Sequence, residues 1–146
     1  MNHSFGVAAL ALFLVSAPLQ AREDAALPRS ASPAQAKVYF ISPTDGATVS
    51  RNFVVRFGLS GMGVAPAGVE MEHTGHHHLL VDVDPLPPEG LPLPRDARHL
   101  HFGNGQTETT LTLSPGKHTL QLILGDHLHI PHQPPVTSKK ITVTVK

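Results

Sequence analysis

The chain has 146 residues, 11 of them Lys or Arg and 11 Asp or Glu, so it is formally neutral. That length favours a single domain, and no basic stripe or acidic tail points to nucleic acid or to a charged partner. Cysteine is absent, which excludes disulfides, thiolate metal sites and a cysteine nucleophile, so any metal must be held by nitrogen, oxygen or methionine sulfur.

The chain opens with an apolar run of 13 residues, Phe5 to Ala17. A bilayer span needs about 20 such residues, so this run reads as the h-region of a signal peptide over 1–21, with Leu19-Gln20-Ala21 as the cleavage site. The segment before it lacks Lys and Arg, a departure from the usual pattern. Export to the periplasm or medium is therefore expected, with no membrane contact after cleavage. Residues 22–36 are Ala, Pro and Ser with mixed charge and read as a flexible linker. The domain is expected over 37–146.

From Lys37 onward the pattern is β throughout. Val38 to Ile41 forms a short strand, stopped by the turn cluster Ser42-Pro43-Thr44-Asp45-Gly46. Phe53, Val55, Phe57 and Leu59 alternate with Val54, Arg56 and Gly58, which gives a second strand one inner face. A Gly- and Pro-rich loop covers Gly61 to Gly75. The third strand, His76 to Val83, puts His77, Leu79, Val81 and Val83 on one face and His76, His78, Leu80 and Asp82 on the other. Asp84 to Arg98 holds five prolines and cannot be an inner strand. His99 to Phe102 is a short fourth strand that ends at Gly103-Asn104-Gly105. Thr107 to Leu113 is the fifth strand, and the Ser114-Pro115-Gly116 turn leads to a sixth over Lys117 to Gly125. A Pro- and His-rich loop, Asp126 to Ser138, precedes the last strand, where Ile141, Val143 and Val145 alternate with threonines. About seven short strands with turn signals between them indicate an all-β, Ig-like antiparallel sandwich, with a small closed barrel as the alternative. The core Trp and paired Cys of antibody domains are absent.

Three His-x-His pairs stand out: His76 with His78, His99 with His101, and His127 with His129. In an extended strand, residues two apart face the same side, so each pair can offer two imidazoles to one point. Neutral imidazole suits zinc, copper and nickel. If the strands run alternately up and down, the loop before His76, the end of the fourth strand and the loop after Gly125 share one pole. Binding loops of Ig-like sandwiches sit on these connections. The candidate metal ligands are His73, His76, His78, His101, His127, His129 and His132. His101 holds its place only if the short fourth strand forms, and His99 is intermediate. His77 shares a face with core residues and reads as a buried, hydrogen-bonded ring, and His118 falls at the opposite pole as a satisfied one. Glu70, Glu72 and Asp126 are placed to orient ligands, and Met62 and Met71 to pack the loop. The expected cofactor is a divalent transition metal, copper or zinc.

GLSGMGVAPAG (Gly58 to Gly68), TGHHHLLVDVD (Thr74 to Asp84), the string from His99 to His132 and the closing KKITVTV together resemble a family of small exported bacterial domains of unknown function. GHHHLL and HxHxPH are the motifs that carry the resemblance. It covers Val38 to Val145 and implies a periplasmic or secreted β-domain. It implies no activity, and no catalytic residue is carried over from it. Enzyme motifs are poor. Gly58-Leu59-Ser60-Gly61 is no nucleophile elbow, Gly103-Asn104-Gly105 lacks a strand-to-helix context for phosphate, and H-E-x-x-H is absent. The sequence thus points to a metal-binding module. A structural or interaction domain whose histidines order its loops, and a metal-dependent hydrolase, are the alternatives.

Overall fold

The computed structural model describes residues 27–146; the expected signal peptide over 1–21 and the start of the linker lie outside them. Nine strands form, and no helix is present among the described residues. They are β1 (Lys37–Ser42), β2 (Thr48–Val49), β3 (Asn52–Ser60), β4 (Gly63–Val64), β5 (Thr74–Val81), β6 (His99–His101), β7 (Glu108–Thr112), β8 (Gly116–Gly125) and β9 (Ile141–Val145). The alternating sequence forms the longer ones, and Gly and Pro clusters end them. The two unforeseen strands, β2 and β4, are two residues long and pair in parallel with β9 and β5. Nothing periodic can mark so short a strand.

The strands make two sheets, β1-β3-β7 and β2-β9-β8-β5-β4, with β6 added to β5. This is the strand adjacency of an Ig-like sandwich in which the fourth strand has joined the sheet of the third. Val55 and Phe57 from the small sheet meet Leu79, Leu120, Leu122, Leu124 and Val143 from the large one, and all of these are buried. Burying each such side chain contributes about 1.5–3 kcal/mol. On the edge strand β1, Tyr39 lays its ring over Gly58, its partner in register.

β5 is buried on both faces. Its inner residues, His77, Leu79 and Val81, join the sandwich core. Its outer residues, His76, His78 and Leu80, lie under a roof of loops. Leu80, Ile123 and Leu93 form a second small apolar cluster on that side. Leu93 comes from the Pro-rich segment, whose backbone is tied to the next loop by Leu93 N–H donating to the His129 carbonyl (2.8 Å).

The stretch expected to be a flexible linker is pinned from Arg29 onward. Ser32 N–H donates to the Gln133 carbonyl and Gln133 N–H to that of Ser30. Arg29 donates from Nε to the Pro131 carbonyl (3.0 Å) and from Nη2 to the His132 carbonyl, and it pairs with Glu89 (2.6 Å). Composition alone read this segment as loose because its partners lie about a hundred residues away in the chain.

Candidate metal centre

The register of the large sheet collects the imidazoles. His78 on β5 stands between Ile123 on β8 and His101 on β6, and His76 faces Gly125. Directly paired residues project to the same face, so His76, His78 and His101 share the outer face. The fourth ring, His129, comes down from the loop after β8. Its ring centre lies 5.0 Å from that of His76, 4.8 Å from His101 and 6.1 Å from His78. The remaining separations are 4.8 Å for His76–His78 and 5.0 Å each for His76–His101 and His78–His101.

Glycines make room for these rings. A Cβ on Gly125 would stand 2.9 Å from His78 Nε2, and one on Gly103 would collide with the His101 ring. The loop itself is set by Asp126. Its Oδ1 accepts from the Leu128 and Ile130 N–H groups (2.9 and 3.0 Å), and its Oδ2 accepts from the Ser30 hydroxyl (2.9 Å). His129 N–H donates to the Asp126 carbonyl and Asp126 N–H to that of Ile130. This is a three-residue loop, a turn followed by a left-handed residue, and that residue is His129 at φ 67°. Glycine is the ordinary occupant there.

His76 and His78 are fully buried, and His101 and His129 half-buried. His78 Nε2 lies 3.0 Å from His76 Nε2. Burial, then the neighbouring rings His101 and His129, push His76 down to about 4, against a smaller pull from Asp126. Burial and then the surrounding imidazoles push His78 to about 2. His101 is also lowered, by burial first, then by His129 and Arg95. His76, His78 and His101 are therefore neutral at pH 7, the form in which imidazole binds metals. All of the buried side-chain polar atoms without a hydrogen-bond partner among the described residues are histidine nitrogens: Nδ1 of His76, His78 and His132, Nε2 of His101, and both nitrogens of His77. Leaving such a group unpaired costs about 1–3 kcal/mol.

The ligand atoms of His76, His78 and His101 all lie within 4.8 Å of one another, so this trio could hold a metal ion. Two nitrogens bound to one ion at ~2.0 Å stand about 3.3 Å apart at a tetrahedral angle and about 2.8 Å apart at a right angle. Four imidazoles so bound would have ring centres about 5.1 Å apart in a tetrahedron, against about 4.5 and 6.3 Å in a square. Five of the six observed separations fall at 4.8–5.0 Å and the sixth at 6.1 Å. The ring centres form a distorted tetrahedron, while the ligand atoms that share the 4.8 Å spacing are those of His76, His78 and His101.

The other histidines sit elsewhere. His73 is exposed at φ 55° and lines a separate cleft with His127, Glu70, Met71 and Glu72. The His127 carbonyl accepts from Gly68 N–H. His132 is fully buried, but its Nε2 donates to the Thr74 carbonyl (3.0 Å) and its ring lies over Gly75. These three are not brought to the imidazole cluster. Sequence parity placed them at the right pole but could not say which way each loop residue turns. His77 faces the core 5.2 Å from Phe57. Burial lowers it to about 4, and the nearby Gly58 backbone opposes the shift without reaching hydrogen-bond geometry. The expected hydrogen bond to this ring is thus not made. His99 Nδ1 bonds Asp96 (2.9 Å). His118 is held by Asp82 through Nδ1 (2.7 Å) and by the Ser114 carbonyl through Nε2 (2.9 Å). Of the acids expected to orient ligands, only Asp126 adjoins the cluster. Met62 packs on the core, while Met71 is 64% exposed.

Arg95, Gly103 and Gly125 escaped the sequence reading. The glycine after His101 was visible as turn chemistry, but its steric role appears only with the ring in place. Residues 55–146 match the family described as a domain of unknown function, DUF4399, and the chain belongs to it. No curated protein and no solved structure matches the chain significantly.

Proposed function

We propose that this member of the family is an exported metal-binding module that holds one divalent ion, zinc or copper, through His76, His78, His101 and His129. The observation that carries the reading is the gathering of His76, His78 and His101, whose ligand atoms all lie within 4.8 Å of one another, with the His129 ring centre 4.8–6.1 Å from theirs. Their nitrogens have few partners other than one another. The ring arrangement favours zinc, and the affinity order of divalent ions favours copper where it is available. The N-terminal apolar run supports export. The module would then capture, buffer or hand on the ion outside the cytoplasm. It is read as a binder because His129, as a fourth imidazole beside His76, His78 and His101, would fill the position that zinc hydrolases keep open for water.

Tag-free protein titrated with Zn²⁺ and Cu²⁺ tests this. One equivalent should bind more tightly than about 1 μM. Binding weaker than about 10 μM for both ions contradicts it.

A further inference from the structure

We propose that the centre takes up a small oxyanion together with the ion, in the cleft between Arg95 and His101; the inference rests on the metal reading above. Imidazole ligands bind a divalent ion without neutralising its charge. Asp126, the ionised acid that acts on His76, offsets part of that charge, and both its oxygens are held by Ser30, Leu128 and Ile130 donors. Asp96 accepts from the His99 ring and from the backbone N–H groups of Arg98 and His99 through Oδ1 alone, and it lines the larger of the two clefts beside His101 but not the smaller. Arg95 adds a further positive charge and makes no hydrogen bond or ion pair with any described residue. A partly buried centre with net positive charge favours a counter-anion.

Access leads to the same place. His76 and His78 are sealed in, whereas half-buried His101 forms a wall of two clefts, and Arg95 lines both. The smaller, of about 330 Å³, is completed by Ala67, Gly103, Asn104 and Gln106. The Gln106 side-chain oxygen accepts from Asn104 N–H (2.9 Å), so the Gln106 amide group is left to donate. A guanidinium fork matches the paired oxygens of a carboxylate, bicarbonate or phosphate. Arg95 is thus a positioning residue for an anion beside His101.

The test is Zn²⁺ affinity of tag-free protein, measured by competition in a buffer free of coordinating anions and again with millimolar acetate, bicarbonate or phosphate, corrected for free-ion complexes. Wild type should bind at least about fivefold more tightly with one of these anions, and the effective one identifies the oxyanion. Arg95→Ala should lose that gain, keep its anion-free affinity within about twofold, and leave the gain partly restored in Arg95→Lys. Co²⁺-loaded wild type should also change its visible spectrum on adding the anion, and Arg95→Ala should not. An anion gain of equal size in Arg95→Ala, or none in a wild type that binds Zn²⁺, overturns the inference. A wild type that binds no metal in any buffer overturns the metal reading instead.

Discussion

His129 stands in a left-handed conformation, φ 67°, at the loop position where glycine is unstrained. Side chains held there cost about 1 kcal/mol or more and persist where they serve a purpose. His129→Gly should therefore stabilise the metal-free protein by about 1 kcal/mol in urea denaturation. The same change should weaken Zn²⁺ binding at least about tenfold. A variant equal to wild type in affinity would remove His129 from the ligand set. Gly125 makes the complementary case. A methyl group there meets His78 Nε2 at 2.9 Å and the His129 backbone at 3.4 Å. Gly125→Ala should cost about 1–3 kcal/mol through overpacking and should displace His78. Its Zn²⁺ affinity should fall at least about tenfold although no ligand has been removed, as competition titration would show.

At the scale of elements, β5 explains how much could be read in advance. The period of two gave its inner and outer faces correctly from His76 to Val81, because alternation is a property of the strand itself. Beyond it the positive φ of Asp82 breaks the alternation, and Val83, expected inward, packs on the outer cluster. The short strand β6 also forms, and its register against His78 is what sets His101 beside the other rings. Parity along the chain brought the start of β5 and the end of β8 to one pole. It did not say that the rings would gather on the outer face of a sheet rather than on the loop tips. That outcome depends on Leu93 and the Pro-rich segment closing over the face, a contact between distant parts of the chain. The strap from Arg29 to Ser32 was missed for the same reason. It supports Asp126 through Ser30, and Asp126 is kept below the ordinary carboxylate range. Burial raises it, but the donors from Ile130, Ser30 and Leu128 outweigh burial. Ser30→Ala should speed amide exchange over residues 126–133 in the metal-free protein. Unchanged exchange there would show that the loop holds itself.

For the whole molecule, acid separates two kinds of histidine. The buried rings of His76 and His78 fall from 6.5 to about 4 and about 2. The unfolded chain takes up their protons first, so the stability they permit is present above about pH 6.5 and is lost as the pH falls through their folded values. His118 runs the other way. Its hydrogen bond to Asp82 raises it, against a smaller effect of burial, and both ring nitrogens face acceptors. Its contribution is present below 6.5 and is lost as the pH rises through its raised value. Urea midpoints of the metal-free protein should fall steadily from pH 7 to pH 4.5. His118→Ala should be more costly at pH 6 than at pH 8.5. A midpoint independent of acid would mean that the outer-face rings are solvated.

Anomalous diffraction at the zinc edge, from crystals of the Zn²⁺-loaded protein, tests the central claim most directly. The expected result is one strong peak at about 2.0–2.1 Å from nitrogens of His76, His78, His101 and His129. A map with no peak among these rings, or with its only peak at the surface near His73 and His127, would contradict the account.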